Sequence, residues 1–422
     1  MAASIISTQH LRGRRAVYRS TSSRPYPSAA LTIMLLTTLI TYSTMTGCAS
    51  APTSLGSIPP AFAEHPAARA ESGIARPTNM ETHGGVVLIC NAESSDAALL
   101  TITGETLWQR SFPGESITSL RLAPTGQQTF FSLSADDRFM NRAIALRRDG
   151  TTAWHVSTTS VPVIFDVTYS HEGERSVRFA LPTGPKPSTL PLYEVLSAEG
   201  EVIATVDATS SALFALSASD DFSHIAVCTS QVHDDESDEA PDSAILHYQD
   251  DVLLGVSTRV GGSLVDTVGH GGSRVLQVLD GTQLSMRAWD SSSTFWTAQE
   301  EYVAGAQFSR DDHLVLTLGM RSMQEGTSVT YVTAITVRDV ETGEVVWHTE
   351  HTCSTGVSVV NSPDLDGIAV VPWGDTSEPA ILYQRSDNTW EPLTLPSGTV
   401  AACFTDEGRP VLADQDGGIL FY

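Results

Sequence analysis

From about residue 83 to its C-terminus the chain is punctuated by one kind of corner at a nearly constant interval, which restricts it to a repeating array of small β units. The corners are Pro124-Thr125-Gly126, His171-Glu172-Gly173, Ser219-Asp220-Asp221, His270-Gly271-Gly272, Arg310-Asp311-Asp312, Asp364-Leu365-Asp366-Gly367 and Asp406-Glu407-Gly408. They recur every about 40 to 55 residues, the length of four short strands with their turns. Between them lie short apolar runs such as Val86 to Cys90, Phe130 to Leu133, Arg274 to Val278, Leu314 to Leu318 and Gly367 to Val371, and no stretch sustains an i, i+3, i+4 pattern. Such runs bounded by Gly, Asp and Ser are strands and hairpins, so the class is all-β.

A second turn runs out of phase with the first. Gly104 precedes Trp108 by four residues, Gly150 precedes Trp154 and Gly343 precedes Trp347, while Gly200 keeps the turn with Ala204 in the tryptophan's place. Ser292 to Trp296 repeats the spacing with Ser for Gly, and Asp387-Asn388 before Trp390 shortens it. The segment Val337-Arg338-Asp339-Val340-Glu341-Thr342-Gly343-Glu344-Val345-Val346-Trp347 resembles the repeat of the quinoprotein-like (PQQ-like/WD40-like) β-propellers, and Ala143 to Trp154 and Leu99 to Trp108 look like the same unit. In that family a strand, a tight Thr-Gly turn and a Trp on the next strand dock one blade onto its neighbour. The resemblance spans nearly all of residues 83–422 and implies a fold; it does not by itself imply an activity.

Seven corners of the first kind, with strands ahead of the first and behind the last, leave seven or eight blades. Eight, the usual number in the resembled family, is favoured, with Val400 to Tyr422 forming a blade completed by chain from near the N-terminal segment. Ring closure of this kind hides sheet edges.

The N-terminal region is of another character. Arg12, Arg14, Arg15, Arg19 and Arg24, with no acid among them, precede an apolar run from Ala29 to Ile40 and then Met45-Thr46-Gly47-Cys48. A basic segment, a short apolar core and small residues before a cysteine are the order of a bacterial lipoprotein signal, and the core is too short to span a bilayer as a helix. The expected organisation is a signal peptide over 1–47, a disordered Ala/Pro/Ser/Gly tether over 48–82 and a propeller over 83–422. Cys48 is the expected lipidation site, because a thioether-linked diacylglycerol supplies the two acyl chains that stable anchoring needs. Arg14-Arg15 also faintly resembles a twin-arginine signal. The protein is therefore expected to be exported and lipid-anchored, at the outer face of the cytoplasmic membrane or at the outer membrane.

Loss of the five arginines takes the net charge from −25 to −30. A body this acidic repels nucleic acid and anionic headgroups, so neither is an expected ligand.

If the corners join strands one to two and three to four, then Ala135 to Asn141, Pro182 to Pro191, Val232 to Ser243, Gly319 to Ser328 and Trp373 to Pro379 all join strands two to three and emerge on one face. That face is the expected binding surface, with Trp373 and Arg321 as its contact residues, an aromatic and an arginine on polar loops.

Several constellations carry residue types capable of chemistry. His348, Glu350, His351 and Cys353 are close in sequence, but alternation on a strand points His348 and Glu350 away from His351 and Cys353, which leaves no four-ligand zinc site. The acidic run Asp234, Asp235, Glu236, Asp238, Glu239 and Asp242 lacks the Asp-x-Asp-x-Asp-Gly order of a preformed calcium loop, and Asp364-Leu365-Asp366-Gly367 and Asp414-Gln415-Asp416-Gly417 read as turns. The body's four cysteines, Cys90, Cys228, Cys353 and Cys403, sit in apolar strands and read as buried thiols; Cys90 and Cys403, flanking the closure seam, form the one pair worth testing as a disulfide. The resembled quinone dehydrogenases carry adjacent cysteines, a bound calcium and often a Cys-x-x-Cys-His haem site, whereas this chain has neither adjacent cysteines nor Cys-x-x-Cys-His. No calcium, quinone or other cofactor is expected, and no catalytic residue can be assigned.

The sequence thus points to a lipid-anchored propeller that binds or assembles envelope proteins, similar in build to the lipoprotein propellers of outer-membrane protein assembly machinery. The alternative is a propeller enzyme, a quinone-dependent oxidoreductase, hydrolase or lyase, with a central-channel site.

Overall fold

The computed structural model describes residues 66–422 apart from 136–140, 159–162, 183–192, 207–210, 232–242, 251, 260–262, 291–292, 326–327, 375–377 and 387–388. Its strands form eight four-stranded antiparallel sheets, the eight blades of a closed propeller. The first strand of the chain, β1 (Ala68–Glu71), is set aside for closure. Blade 1 is β2 (Asn79–His83), β3 (Val86–Asn91), β4 (Asp96–Thr101) and β5 (Thr106–Ser111). Blade 2 is β6 (Glu115–Leu122), β7 (Gln128–Ala135), β8 (Asn141–Arg147) and β9 (Thr152–Thr158). Blade 3 is β10 (Val163–Tyr169), β11 (Arg175–Pro182), β12 (Tyr193–Ser197) and β13 (Val202–Val206). Blade 4 is β14 (Ser211–Ala218), β15 (His224–Gln231), β16 (Ser243–Gln249) and β17 (Val252–Arg259). Blade 5 is β18 (Leu264–Val268), β19 (Arg274–Leu279), β20 (Gln283–Ala288) and β21 (Thr294–Gln299). Blade 6 is β22 (Val303–Phe308), β23 (Leu314–Glu325), β24 (Ser328–Asp339) and β25 (Val345–Cys353). Blade 7 is β26 (Val357–Asn361), β27 (Gly367–Pro372), β28 (Ile381–Ser386) and β29 (Thr389–Thr394). Blade 8 is β30 (Thr399–Phe404), β31 (Pro410–Asp414) and β32 (Gly418–Phe421), completed by β1, whose Ala68 pairs with Phe421 and Glu71 with Gly418.

The propeller therefore begins at Ala68, inside the stretch that composition assigns to the tether over 48–82, and the boundary at residue 83 is corrected. Composition misses β1 and β2 because a four-residue strand, Ala-Arg-Ala-Glu, has too little apolar content to stand out locally; only its pairing to β32 orders it. The seven corners all join first to second strands. The eighth, in blade 1, is the two-residue turn Gly84-Gly85, with φ of 55° and 72°. Positive φ at both positions is the signature of a type I′ hairpin, which needs no Ser or Asp and so escapes the corner pattern.

In blades 3, 4, 6 and 7 the corner is held by one device. The first corner residue's hydroxyl accepts the backbone N–H five residues on, Ser170 from Arg175 at 3.1 Å, Ser219 from His224 at 3.0 Å, Ser309 from Leu314 at 2.8 Å and Ser362 from Gly367 at 2.9 Å. A short hydroxyl side chain satisfies the donor that the tight bend would orphan.

Second and third strands are sandwiched between neighbouring blades, hence the unbroken burial of Val86–Asn91. One core cluster joins Val86, Leu88 and Leu99 of blade 1 to Leu120, Phe131 and Leu133 of blade 2. The Gly-x-x-x-Trp repeat serves two blades at once. A Cβ on Gly200 would lie 2.3 Å from Cγ of Trp154, one on Gly343 2.6 Å from Cδ2 of Trp296, and one on Gly150 3.1 Å from Cγ of Trp108. Each glycine makes the left-handed turn of its own blade and leaves room for the tryptophan of the blade before it. At the closure seam Ala70 takes the tryptophan's place against Gly104.

Blades 3 and 4 lack the tryptophan, with Ala204 and Gly255 at the register positions that Trp108, Trp154, Trp296 and Trp347 occupy elsewhere. An aromatic from the following blade fills in: Tyr248 stands edge-on to Tyr193 at 5.6 Å, and Trp289 covers His247 and His224 at 4.9 Å each.

Candidate binding face

Strand order sorts the connections onto two faces. First-to-second and third-to-fourth turns share one face, called here the corner face; second-to-third loops and the links between blades share the other, the loop face. The corner face is tied from blade to blade. His171 N–H donates to Asp220 O at 2.9 Å, Asp220 N–H to His270 O at 3.0 Å, and Arg310 N–H to Pro363 O at 2.9 Å. The Asp312 carboxylate accepts from His270 N–H at 2.8 Å, and Asp406 accepts from Gly84 N–H at 2.9 Å and contacts His83 Nδ1 at 2.8 Å. His270 Nδ1 meets Asp220 Oδ1 at 2.8 Å. Burial alone would lower the basicity of His270, but Asp220 and Asp312 outweigh it and the pKa is raised.

The loop face carries what the sequence assigned to it, with corrections. Gly319 to Ser328 is not a loop: β23 and β24 run twelve residues each and pair from Leu314↔Asp339 to Glu325↔Ser328. Second strands of the other blades are five to eight residues long. At about 3.3 Å per residue the extra four residues carry this hairpin roughly 13 Å further. Met323 and Val329 near its end are 44% and 42% exposed.

Arg321 lies within β23 and not on a polar loop. Its guanidinium contacts Glu301 at 2.5 Å and Glu350 at 3.5 Å, so it braces the base of the hairpin. Trp373 does follow β27 on the loop face, but it is half-buried. Its indole N–H donates to Ser358 Oγ at 2.8 Å and its ring fills the space beside Gly356. Both residues stand on the same face, in adjacent blades, and both are partly occupied by their own molecule. The loops from Pro182, Val232 and Ala135 fall mostly, and the acidic run Asp234 to Asp242 wholly, outside the described residues; so do Cys48, Ser292 and Asp387-Asn388.

On the first strands of three blades lies a polar constellation that no motif announces. Glu81 on β2, Arg121 on β6 and Asp166 on β10 come from the first strands of blades 1, 2 and 3. Arg121 Nη2 is 2.7 Å from Asp166 Oδ2 and its Nη1 3.8 Å from Glu81 Oε1, all three side chains being buried. Glu81 Oε2 accepts the N–H of Leu122 at 2.6 Å, and Asp166 Oδ1 accepts from Ser119 Oγ at 3.1 Å and Val167 N–H at 2.8 Å. Burial drives the Glu81 pKa from an ordinary 4.5 to about 8, against the pull of Arg121, and raises Asp166 in the same way. The trio thus sets one guanidinium between two carboxyls whose hold on a proton burial strengthens, and it joins three blades. A second set, His247 Nε2 to Asp266 Oδ2 at 2.8 Å with Gln277 Nε2 to Asp266 Oδ1 at 3.1 Å, joins blades 4 and 5. For Asp166 and Asp266 the available signal in the sequence was a lone charge within an apolar first strand; Glu81 and Arg121 carry no such signal.

No group of three or more His, Cys, Asp or Glu able to hold a metal is found among the described residues. On β25, His348 meets Thr336 Oγ1 at 3.0 Å while His351 Nε2 meets Tyr383 OH of the next blade at 2.8 Å, the opposite facing that strand alternation predicts. Cys90, Cys228, Cys353 and Cys403 are buried free thiols, so the Cys90–Cys403 bridge is not formed. Burial pushes the Cys90 thiol up to about 12.

No family model and no curated protein matches the sequence. Among solved structures the C-terminal WD40 domain of Sif2 superposes with a TM-score of 0.52 at 11% identity, over 85% of this chain and 95% of that one. BamB from Moraxella catarrhalis gives 0.49 at 11% identity, over 84% and 98%. The protein shares the WD40-type propeller fold, and at this identity the likeness is one of fold alone.

Proposed function

We propose that this protein is a protein-binding scaffold of the bacterial envelope, tethered through Cys48 and presenting its loop face to its partners. One observation carries the reading: the chain enters the propeller on the corner face, since β1 begins at Ala68 beside Phe421, where β32 ends. A tether on that side leaves the loop face, with the projecting β23–β24 hairpin, directed away from the attachment point. From Cys48 to Ala68 is 20 residues, about 66 Å when extended, enough to hold the body clear of a bilayer. The exposed Met323 and Val329 at the end of a rigid hairpin are an adaptable apolar contact of the kind that protein partners use.

The test is site-specific photo-crosslinking in intact cells, with the crosslinker at Met323, at Val329, or at Glu407 on the corner face. The reading expects discrete adducts with envelope proteins from the hairpin positions and none from Glu407. Adducts from Glu407 alone would overturn the assignment of the face, and a protein found wholly in the cytoplasm would overturn the envelope role.

A further inference from the structure

A propeller blade ends in an outer strand whose far edge has no partner, and this molecule guards those edges unequally. β1 carries Arg69 and Glu71, β5 Arg110, β9 His155, β25 Glu350, and β29 Glu391 with Pro392. On β21 the guanidinium of Arg274 lies 3.8 Å over the ring of Phe295. Charge, proline and covering side chains are the usual means of keeping an edge from pairing. Two edges have none of these: β13, Val-Ile-Ala-Thr-Val, and the longer β17, Val-Leu-Leu-Gly-Val-Ser-Thr-Arg, over its first seven residues, its single charge, Arg259, being engaged with Asp280 at 2.7 Å. Val252, Leu253, Leu254 and Val256 are 62%, 49%, 57% and 52% exposed, and Val202 and Ile203 of the neighbouring β13 extend the apolar area.

Gly255 adds a second, independent observation. It stands where four other blades carry tryptophan and blade 3 carries alanine, just after the same bulge, so the bulge does not require glycine. Its φ is not positive, and a Cβ there would meet nothing within 4 Å. Neither its own backbone nor its own molecule demands a glycine at this position. A strand glycine with no such reason marks a place where another backbone comes close.

We infer that β17 pairs antiparallel with β17 of a second copy of this chain, about a two-fold axis near Gly255, joining two blades into one eight-stranded sheet. Self-complementarity decides for a second copy. The net charge of −25 opposes contact between most faces of two copies, and the neutral edge of β17 is where they pair without setting like charges against each other. Centring the contact on Gly255 sets Leu254 against Val256, Leu253 against Ser257 and Val252 against Thr258, all neutral pairs. An isologous contact of this kind closes at two subunits.

The test measures the mass of the full-length protein in non-ionic detergent by light scattering across the micromolar range, beside Val256→Lys, with Val345→Lys on the edge of blade 6 as control. The inference expects a dimer that Val256→Lys weakens by about tenfold or more, since it sets two lysines close to the axis, and that Val345→Lys leaves intact. Independently, Gly255→Cys places two thiols across the axis, where opposed residues stand about 4.5 to 5.5 Å apart at Cα, within disulfide reach. Mild oxidation should then give a covalent dimer that the parent protein, carried through the same treatment, does not form. A monomer at every concentration with no Gly255→Cys crosslink overturns the inference. So does a dimer that survives Val256→Lys without that crosslink, or a monomer that instead takes up an extended apolar peptide at β17.

Discussion

Arg121 and Asp166, 45 residues apart in the chain, stand with Nη2 2.7 Å from Oδ2, and the pair is buried between the first strands of blades 2 and 3. Such a pair contributes little net stability over an apolar replacement, yet breaking it leaves a charge without a partner. Arg121→Met is expected to cost about 3 to 5 kcal/mol, read by urea denaturation, while Arg121→Met with Asp166→Leu recovers most of that loss. Equal stability of the single and double variants would show that the pair does not hold the blades.

Glu81 makes the same region sensitive to pH. Its pKa in the folded protein is raised to about 8, so between the ordinary carboxylate value and that point the folded state binds more protons than the unfolded one. Stability from this group is therefore full at low pH and declines as pH rises from about 4.5 to about 8. In Glu81→Gln the amide stays neutral and its oxygen can still accept from Leu122. The melting temperature of the variant relative to the parent should rise steadily over that window and level off above it. A difference independent of pH would place the Glu81 pKa at its ordinary value.

Trp154 and Arg321 separate packing from surface pairing. Trp154 is 7% exposed and fills the hollow at Gly200, so Trp154→Ala should cost about 3 to 5 kcal/mol. Arg321 pairs with Glu301 and Glu350, both exposed, and Arg321→Ala should cost under about 1 kcal/mol. Thermal melts that ranked the two alike would contradict the blade-to-blade role of the tryptophans.

The proposed tether rests on a single thiol. Cys48→Ser removes the acceptor for diacylglycerol, and the protein should move from the detergent-rich to the aqueous phase on partitioning, unprocessed or released. Retention with membranes would place the anchor elsewhere.

What the sequence determined by itself was local: the recurring Gly- and Asp-marked corners, the alternation that splits His348 from His351, and the Gly-x-x-x-Trp unit are each complete within a dozen residues. Turn chemistry and strand alternation act at that range, so they are legible without the fold. Ring closure is not local. The eighth blade depends on β1 meeting β32 across about 350 residues of chain, and Ala68–Glu71 has no pattern of its own that foretells it. The same holds for the candidate site, where Arg321 and Trp373 read as free loop contacts until the β23–β24 register and the Ser358 hydrogen bond showed each held by its own molecule. Glu81, Arg121 and Asp166 lie in three separate strands with no shared motif, and the unpartnered edge of β17 is visible only once its seven counterparts are in place. Tertiary structure decided these because burial and pairing belong to the assembled ring and not to any one repeat.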